Sequence, residues 1–384
     1  MKLNHTIGAA LLIAGTTIGA VTLALPIATT NVGLIGTSLI FISAWLVMYW
    51  SGLILAQVCV LYPAGKSFSY IAEHNFGVTG KMVSWISYGL LLLTLLMAYF
   101  SSLSSLINFN NVFFDSPRVG YTLVALMSWL VISMDTEFID AMNRLMVYVL
   151  ISTIIIMVVF LFSHVRLSEW VYFKPTVYEL GHLLPVVVVG FGFQVILPSV
   201  RAYMKGQESM IPKAILIGSL IPLVIYLLWT CGVLTGMSKS DIQQLSFYSD
   251  ETVAISVLLQ HVVHGAFINL FVFAAVVSSL LGIALSLRDL LIDILQTKKK
   301  WLPPFLTIFL PWLMVNIHSA AFLEILRFSG LIVAFLNILF PAIILINERA
   351  VRKNTRFHIM NQSSIIYIVI IYALVVILSE VIFS

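Results

Sequence analysis

Long apolar runs joined by short charged segments leave this chain few ways to fold. Hydrocarbon offers no hydrogen-bond partner, so a segment crossing it must pair its backbone N–H and C=O groups internally, as a helix does. Such a crossing needs about 20 apolar residues. Eleven runs can be read, at about 6–30, 33–60, 81–109, 119–135, 143–163, 181–203, 211–236, 265–296, 302–317, 325–347 and 363–383. Of the 384 residues 61% are hydrophobic and 9% charged, where a soluble domain is about a quarter charged. The expectation is an all-α polytopic membrane protein with one membrane domain over residues 1–384. Cys59 and Cys231, the two cysteines, lie inside apolar runs and imply no disulfide framework. The run after Lys2 is too long for the core of a signal peptide and is read as a retained first span.

The net charge of +4 is a topology signal, not a nucleic-acid one. With the N-terminus placed in the cytoplasm, fifteen of the 20 Lys and Arg residues fall on inner segments and five on outer ones. Positive charge accumulates on the cytoplasmic side, so a cytoplasmic N-terminus and a periplasmic C-terminus are expected.

The first run is weakened near its middle. Gly15-Thr16-Thr17-Ile18-Gly19 sets two glycines around two threonines. A break inside the bilayer is tolerable only where the freed groups line a cavity and meet a ligand. Gly190-Phe191-Gly192-Phe193-Gln194, in the sixth run, is a second such stretch. Glycines also let membrane helices pack closely, and either stretch alone admits that explanation. Two of them in corresponding halves point to a transporter binding site. Breaks expose N–H groups and positive half-helix ends, which suit a carboxylate. They also expose carbonyls, which suit an ammonium or a small cation. An amino acid fits both better than a sugar or an inorganic anion does. Thr16 and Thr17 would support the unwound stretch, and Phe191 and Phe193 would wall an apolar pocket or simply pack.

Other polar residues within or beside the runs invite roles. Ser278 and Ser279 could complete an oxygen cage for Na⁺ with carbonyls of the first span, such as that of Gly15, or could be a small packing pair. Asp289 and Asp293, beside Arg288, would form an inner gate or proton path, or a solvated helix end. Tyr99 places a hydroxyl in an apolar run, for a substrate carboxylate or a packing partner. Asp140 and Arg144 are spaced to pair on one helix, and Glu380 is read as reaching the outer interface. Residues 253–263 read as an amphipathic helix at the outer surface, with His261 and His264 on a solvated face or as half a metal site. No phosphate loop ending in Lys-Ser or Lys-Thr, no metal-ligand cluster and no nucleophile elbow is present. An enzyme is therefore not expected, and no cofactor, metal, nucleic acid or protein partner is called for. The expected partners are a small amino acid and membrane lipid.

Several of these stretches together resemble a known family. Ile13-Ala14-Gly15-Thr16-Thr17-Ile18-Gly19-Ala20 with Leu23-Ala24-Leu25-Pro26, Gly190-Phe191-Gly192-Phe193 with Pro198-Ser199 and Tyr203-Met204, Asp140 to Arg144, and Ser278-Ser279-Leu280-Leu281-Gly282 with Asp289 and Asp293 are similar, in order, to the bacterial aromatic amino acid permeases specific for tyrosine and tryptophan. The resemblance implies a LeuT-type fold: inverted five-helix repeats over 6–163 and 181–347, an extra helix at 363–383, and discontinuous first and sixth spans. It implies an inner-membrane symporter importing tyrosine or tryptophan with a proton, while Ser278 and Ser279, read on their own chemistry, leave Na⁺ open as the coupling cation. The alternative is an amino-acid sensor or uncoupled facilitator on the same fold. Three positions depart from the pattern: Gln194 stands where the family commonly has His, Val21-Thr22 replace Gly-Met, and Leu150 stands at about the place of a Lys in the fifth span.

Overall fold

The computed structural model describes residues 5–63, 66–110, 116–162, 176–204, 206–236, 251–260, 265–318, 320–351 and 363–383. The described residues are almost entirely helical. The first run divides into α1 (His5–Thr17) and α2 (Val21–Ala28), bent by 60° at the break. Then follow α3 (Gly33–Val60), α4 (Phe68–Asn110), α5 (Pro117–Ile132) and α6 (Thr136–Phe162). The sixth run divides into α7 (Val177–Gly190) and α8 (Leu197–Tyr203), with a 3₁₀ turn at Gln194–Ile196 between them. After α9 (Ile211–Gly236) come the short α10 (Glu251–Gln260), then α11 (Gly265–Leu295) and α12 (Leu302–Ile317). The tenth run is α13 (Phe322–Val333), a π-helical turn at Ala334–Leu339, and α14 (Phe340–Val351); α15 (Ser363–Phe383) is last.

Among the described residues, eight spans are long and apolar enough to cross a membrane, and the bent α1–α2 pair, taken as one span, makes nine. The predicted fourth and ninth spans are α5 and α12, apolar helices of 16 residues each. At 1.5 Å per residue each reaches about 24 Å, short of the roughly 30 Å of hydrocarbon. Length alone therefore does not give the expected eleven crossings.

Local sequence explains most boundaries. Pro117 opens α5 at a position where a missing N–H is harmless. Thr176 and Glu179 form a reciprocal capping box at the start of α7, with bonds of 3.2 and 2.7 Å. Gly77, with φ of +63°, interrupts α4 and separates a short leading segment from the long membrane segment. The expected amphipathic helix exists as α10, but Val253, Ala254, Ile255 and Leu259 are buried because it packs on α2, α4, α11 and α13. It covers one end of the helix bundle; His261 and His264 lie outside the described residues, as does the side chain of Asp140.

The helices form two groups. In one, α9 packs against α1, α2 and α3, and α3 also packs against α7 and α8. In the other, α4, α5, α11 and α12 pack on one another. Between them, α6 touches α9 and α11, while α13 touches α7 and α4. The last helix lies against α7 and the π turn. Its Glu380 does not reach an interface. It is 7% exposed and holds Arg327 of α13 in a two-pronged pair at 3.2 and 3.3 Å. An isolated carboxylate at that depth would be expensive, and the guanidinium fork compensates both oxygens.

In the π turn one carbonyl lacks its usual α-helical donor, because Pro341 four residues on has no N–H. That of Asn337 accepts the hydroxyl of Ser51 from α3. Beyond it, Phe340 packs edge-on to Phe68 and stacks on Phe76, at centroid distances of 5.5 and 5.9 Å. Near the end of α14 the buried Glu348 accepts the Tyr62 hydroxyl, which also accepts from Asn75 at 2.7 Å.

Close approach between α7 and α13 depends on Gly330. A Cβ there would stand 2.6 Å from the Cα of Pro185, so two backbones would have to separate. Gly282 of α11 has nothing within 4 Å of its Cβ position. Gly330→Val is expected to destabilise the fold by about 1–3 kcal/mol or more, while Gly282→Ala is expected to be close to neutral. Thermal unfolding of the two purified variants in detergent checks the contrast.

Candidate functional site

Both predicted breaks exist, slightly displaced from the residues expected. In the first, helix continues through Thr17, and the hydroxyls of Thr16 and Thr17 each donate back to the preceding turn, to Leu12 O and Ile13 O at 2.7 Å. The unwound residues are Ile18, Gly19 and Ala20. The carbonyls of Gly15, Thr16 and Ile18, and the N–H groups of Gly19 and Val21, have no backbone partner among the described residues. In the second, Phe191–Phe193 are non-helical, and the N–H groups of Gln194 and Val195 are likewise without one.

One side chain joins the two breaks. The hydroxyl of Tyr226, on α9, donates to Thr17 O at 2.7 Å and to Gly190 O at 3.0 Å, sharing one proton between two carbonyls. Trp229, one turn on, donates its indole N–H to Thr22 O at 2.8 Å. From the second group of helices, Ser279 of α11 accepts the Ala20 N–H at 2.9 Å and donates to Ala275 O at 3.0 Å. A Cβ on Gly19 would collide with the same serine oxygen, and one on Gly190 would stand 3.3 Å from Val21 Cγ1. The glycines thus allow the breaks to touch each other and α11, beyond any role in weakening the helix.

A cavity of about 510 Å³ lies beside the second break. Its mouth is formed by Lys66, Ser67 and Ser69, which follow α3, and by Asp289 and Asp293 near the end of α11. Its walls include Ser84, Tyr88, Ser199 and Ser286, and its inner end carries Gln194, Val195 and Asn337. It therefore opens on the membrane face where α1 begins, while α10 covers the other end of the bundle.

The expected site residues take different positions around this geometry. Gln194 lines the cavity, and its amide nitrogen donates to Met48 O at 3.1 Å. Asp289 and Asp293 stand at the mouth, with Arg288 3.5 Å from Asp289. Gly15 and Thr16 are on an exposed side of α1, whereas Thr17, Ile18 and Gly19 are buried. Phe191 packs edge-on to Tyr226 at 5.4 Å. Phe193 is buried against Gly52, where a Cβ would lie 2.6 Å from the ring. Tyr99 is buried with its hydroxyl in reach of Ser279. Ser278 is buried and donates to Ala275 O at 3.1 Å. Of the residues expected at a binding site, Gln194 and the two aspartates meet the cavity; the others hold or line the breaks.

Tyr226, Trp229 and Asn337 were not singled out from the sequence. The available signal was chemical: a Tyr and a Trp three residues apart in an apolar span must each find an acceptor for a polar hydrogen. For Asn337 the signal was Pro341, which removes the N–H that the Asn337 carbonyl would bond in an α-helix.

Comparison with known proteins places this geometry. Residues 2–380 match the tryptophan/tyrosine permease family. The chain is 24% identical to tyrosine-specific transport system 1 of Haemophilus influenzae, covering 97% of this chain and 96% of that one. It is 26% identical to the tryptophan-specific transport protein of the same organism, covering 99% and 96%, and 26% identical to glutamine transporter 2 of Aliivibrio fischeri, covering 89% of each. Among solved structures it is similar to Mhp1, a nucleobase-cation-symport-1 family transporter in a closed conformation with bromovinylhydantoin bound. That match has a TM-score of 0.60, 12% identity, and coverage of 98% of this chain and 91% of the other. Mhp1 has the LeuT fold, and the likeness extends that fold to this multi-pass membrane protein. With its family signature running almost from end to end, the chain belongs to the tryptophan/tyrosine permease family.

Proposed function

We propose that this protein imports tyrosine or tryptophan across the bacterial inner membrane by secondary active transport. The observation that carries this reading is the pair of mid-span breaks joined through Tyr226, the second of which adjoins a cavity open to one face. A volume of about 510 Å³ falls in the range of about 300–1,000 Å³ usual for small-molecule sites. Unpaired N–H groups of Gly19 and Val21 offer donors to a carboxylate, and the carbonyls of Gly15, Thr16 and Ile18 offer acceptors to an ammonium group. Relatives named as tyrosine- and tryptophan-specific support the aromatic substrate.

The positive-inside bias makes the open face cytoplasmic, so the conformation described is the one that releases substrate inward. Alternating access proceeds by rocking one helix group against the other, with α6 and α13 spanning the gap. The coupling cation is a proton, or Na⁺ held by the Gly15 carbonyl with Ser278 and Ser279. A second reading, an uncoupled facilitator or sensor, draws on Leu150, a buried apolar residue where the family often carries a lysine.

Purified protein in proteoliposomes is expected to accumulate labelled tyrosine or tryptophan when a proton or Na⁺ gradient is imposed. Equilibration without accumulation under either gradient favours the facilitator, and no saturable uptake of any amino acid overturns the transport reading. Tyr226→Phe removes the shared proton and strands two buried carbonyls, at a cost of about 1–3 kcal/mol. A loss of initial uptake rate of about 5- to 150-fold, with normal expression, is the expected result. For orientation, Ser199→Cys in a background without Cys59 and Cys231 is expected to react with a membrane-impermeant thiol reagent in inverted vesicles and not in right-side-out ones.

A further inference from the structure

We infer that Gln194 selects the side chain of the transported amino acid by accepting a hydrogen bond from it. The favoured substrates are those whose side chain ends in an N–H or O–H donor, such as a phenol, an indole or a carboxamide. This rests on the transport reading above and specifies which part of the substrate meets the inner end of the cavity.

Gln194 is the first residue of the 3₁₀ turn that follows the second break, and it is fully buried. Its two polar ends are distinguishable. Met48 O can only accept, so the nitrogen must face it, and it does so at 3.1 Å, with Met48 Sδ at 3.7 Å as a weaker second acceptor. Met48 belongs to α3 and does not line the cavity, whereas Gln194 does. The amide is thereby held with its nitrogen toward α3, and its oxygen, closed to solvent, belongs to a residue that lines the inner end of the cavity. Among the described residues no donor reaches that oxygen.

A buried acceptor left unpaired costs about 1–3 kcal/mol, and native proteins keep few of them. A substrate that brings a donor into the cavity relieves the deficit; one with a purely apolar side chain seals it in. This asymmetry is the strongest form of discrimination that a small pocket can make, because the rejected analogue leaves a site group without its partner. The oxygen has no proton to give, so a carboxylate side chain gains nothing from it. The carboxamide of Asn337 lies on the same inner wall, and Val195 beside it supplies apolar contact for the remainder of the ring or chain.

The test uses the full-length protein in proteoliposomes and two matched pairs of unlabelled competitors: tyrosine with phenylalanine, and tryptophan with 1-methyltryptophan. In the wild type the donor-bearing member of each pair is expected to compete about 5- to 150-fold better. Gln194→Met keeps the length and removes both polar ends, and it is expected to narrow each gap severalfold while transport continues. Gln194→Glu, which as a neutral acid keeps a carbonyl oxygen and an O–H for Met48, is expected to preserve the gap. Equal competition within both pairs in the wild type, or an undiminished gap in Gln194→Met, overturns the inference. If Gln194→Met does not yield monodisperse protein, the wild-type pairs decide alone. Absence of any uptake would count against transport and not against selection. In that case ligand-induced thermal shifts of the wild type with the same four compounds read the preference directly, with equal shifts within each pair overturning it.

Discussion

A single tyrosine proton shared between two carbonyls governs the arrangement of this protein. Helices broken inside hydrocarbon are unstable unless their unpaired peptide groups find partners. Tyr226 partners one carbonyl from each break, Thr17 O and Gly190 O, and fixes the distance between them. Ser279 then fixes the height of the first break against α11 by taking the Ala20 N–H. What these two side chains leave unpaired is a small set of donors and acceptors near mid-depth, and that remainder is the polar material available to a zwitterion.

Division of labour follows from the same geometry. Residues flanking the breaks mostly serve to hold them: Phe193 fills the hollow over Gly52, Phe191 leans on Tyr226, and Tyr99 stands near Ser279. The cavity is bounded instead by α4, α8, α11 and the π turn, with Gln194 where it meets the second break. Scaffold and contact surface are thus adjacent but largely distinct. Arg201 of α8 strengthens the scaffold at the open face by donating to the Cys59 and Tyr62 carbonyls at the end of α3 while pairing with Glu208 at 3.0 Å.

Much of this was legible in the residues. Glycines at 15, 19, 190 and 192 located the breaks to within about three positions because loss of helix propensity is a local property. Apolar run length located nearly every helix for the same reason. The roles of individual side chains were less accessible. Thr16 and Thr17 were expected to support unwound backbone, yet they bond to their own helix, as threonines in an apolar helix commonly do. Glu380 was expected at an interface, but its partner Arg327 lies 53 residues away in sequence, and only packing of α15 on α13 brings them together. The π turn was missed because its six residues, Ala334–Leu339, have an ordinary apolar helix composition, and Pro341 just beyond them marks a disturbed helix without telling a kink from a π turn.

That turn has a geometric corollary. A π turn acts as one surplus residue in an α-helix, and each residue advances a helix by about 100°. Everything past Leu339 is consequently clocked about a quarter-turn from where an uninterrupted helix would aim it. The angular phase of Phe340 and Glu348 is decoupled from that of Ser329 and Arg327, so one rod can satisfy two differently oriented sets of neighbours. Deleting a single amino acid from this segment would realign the two halves and turn the Tyr62-binding carboxylate of Glu348 toward another face, leaving the chain otherwise intact.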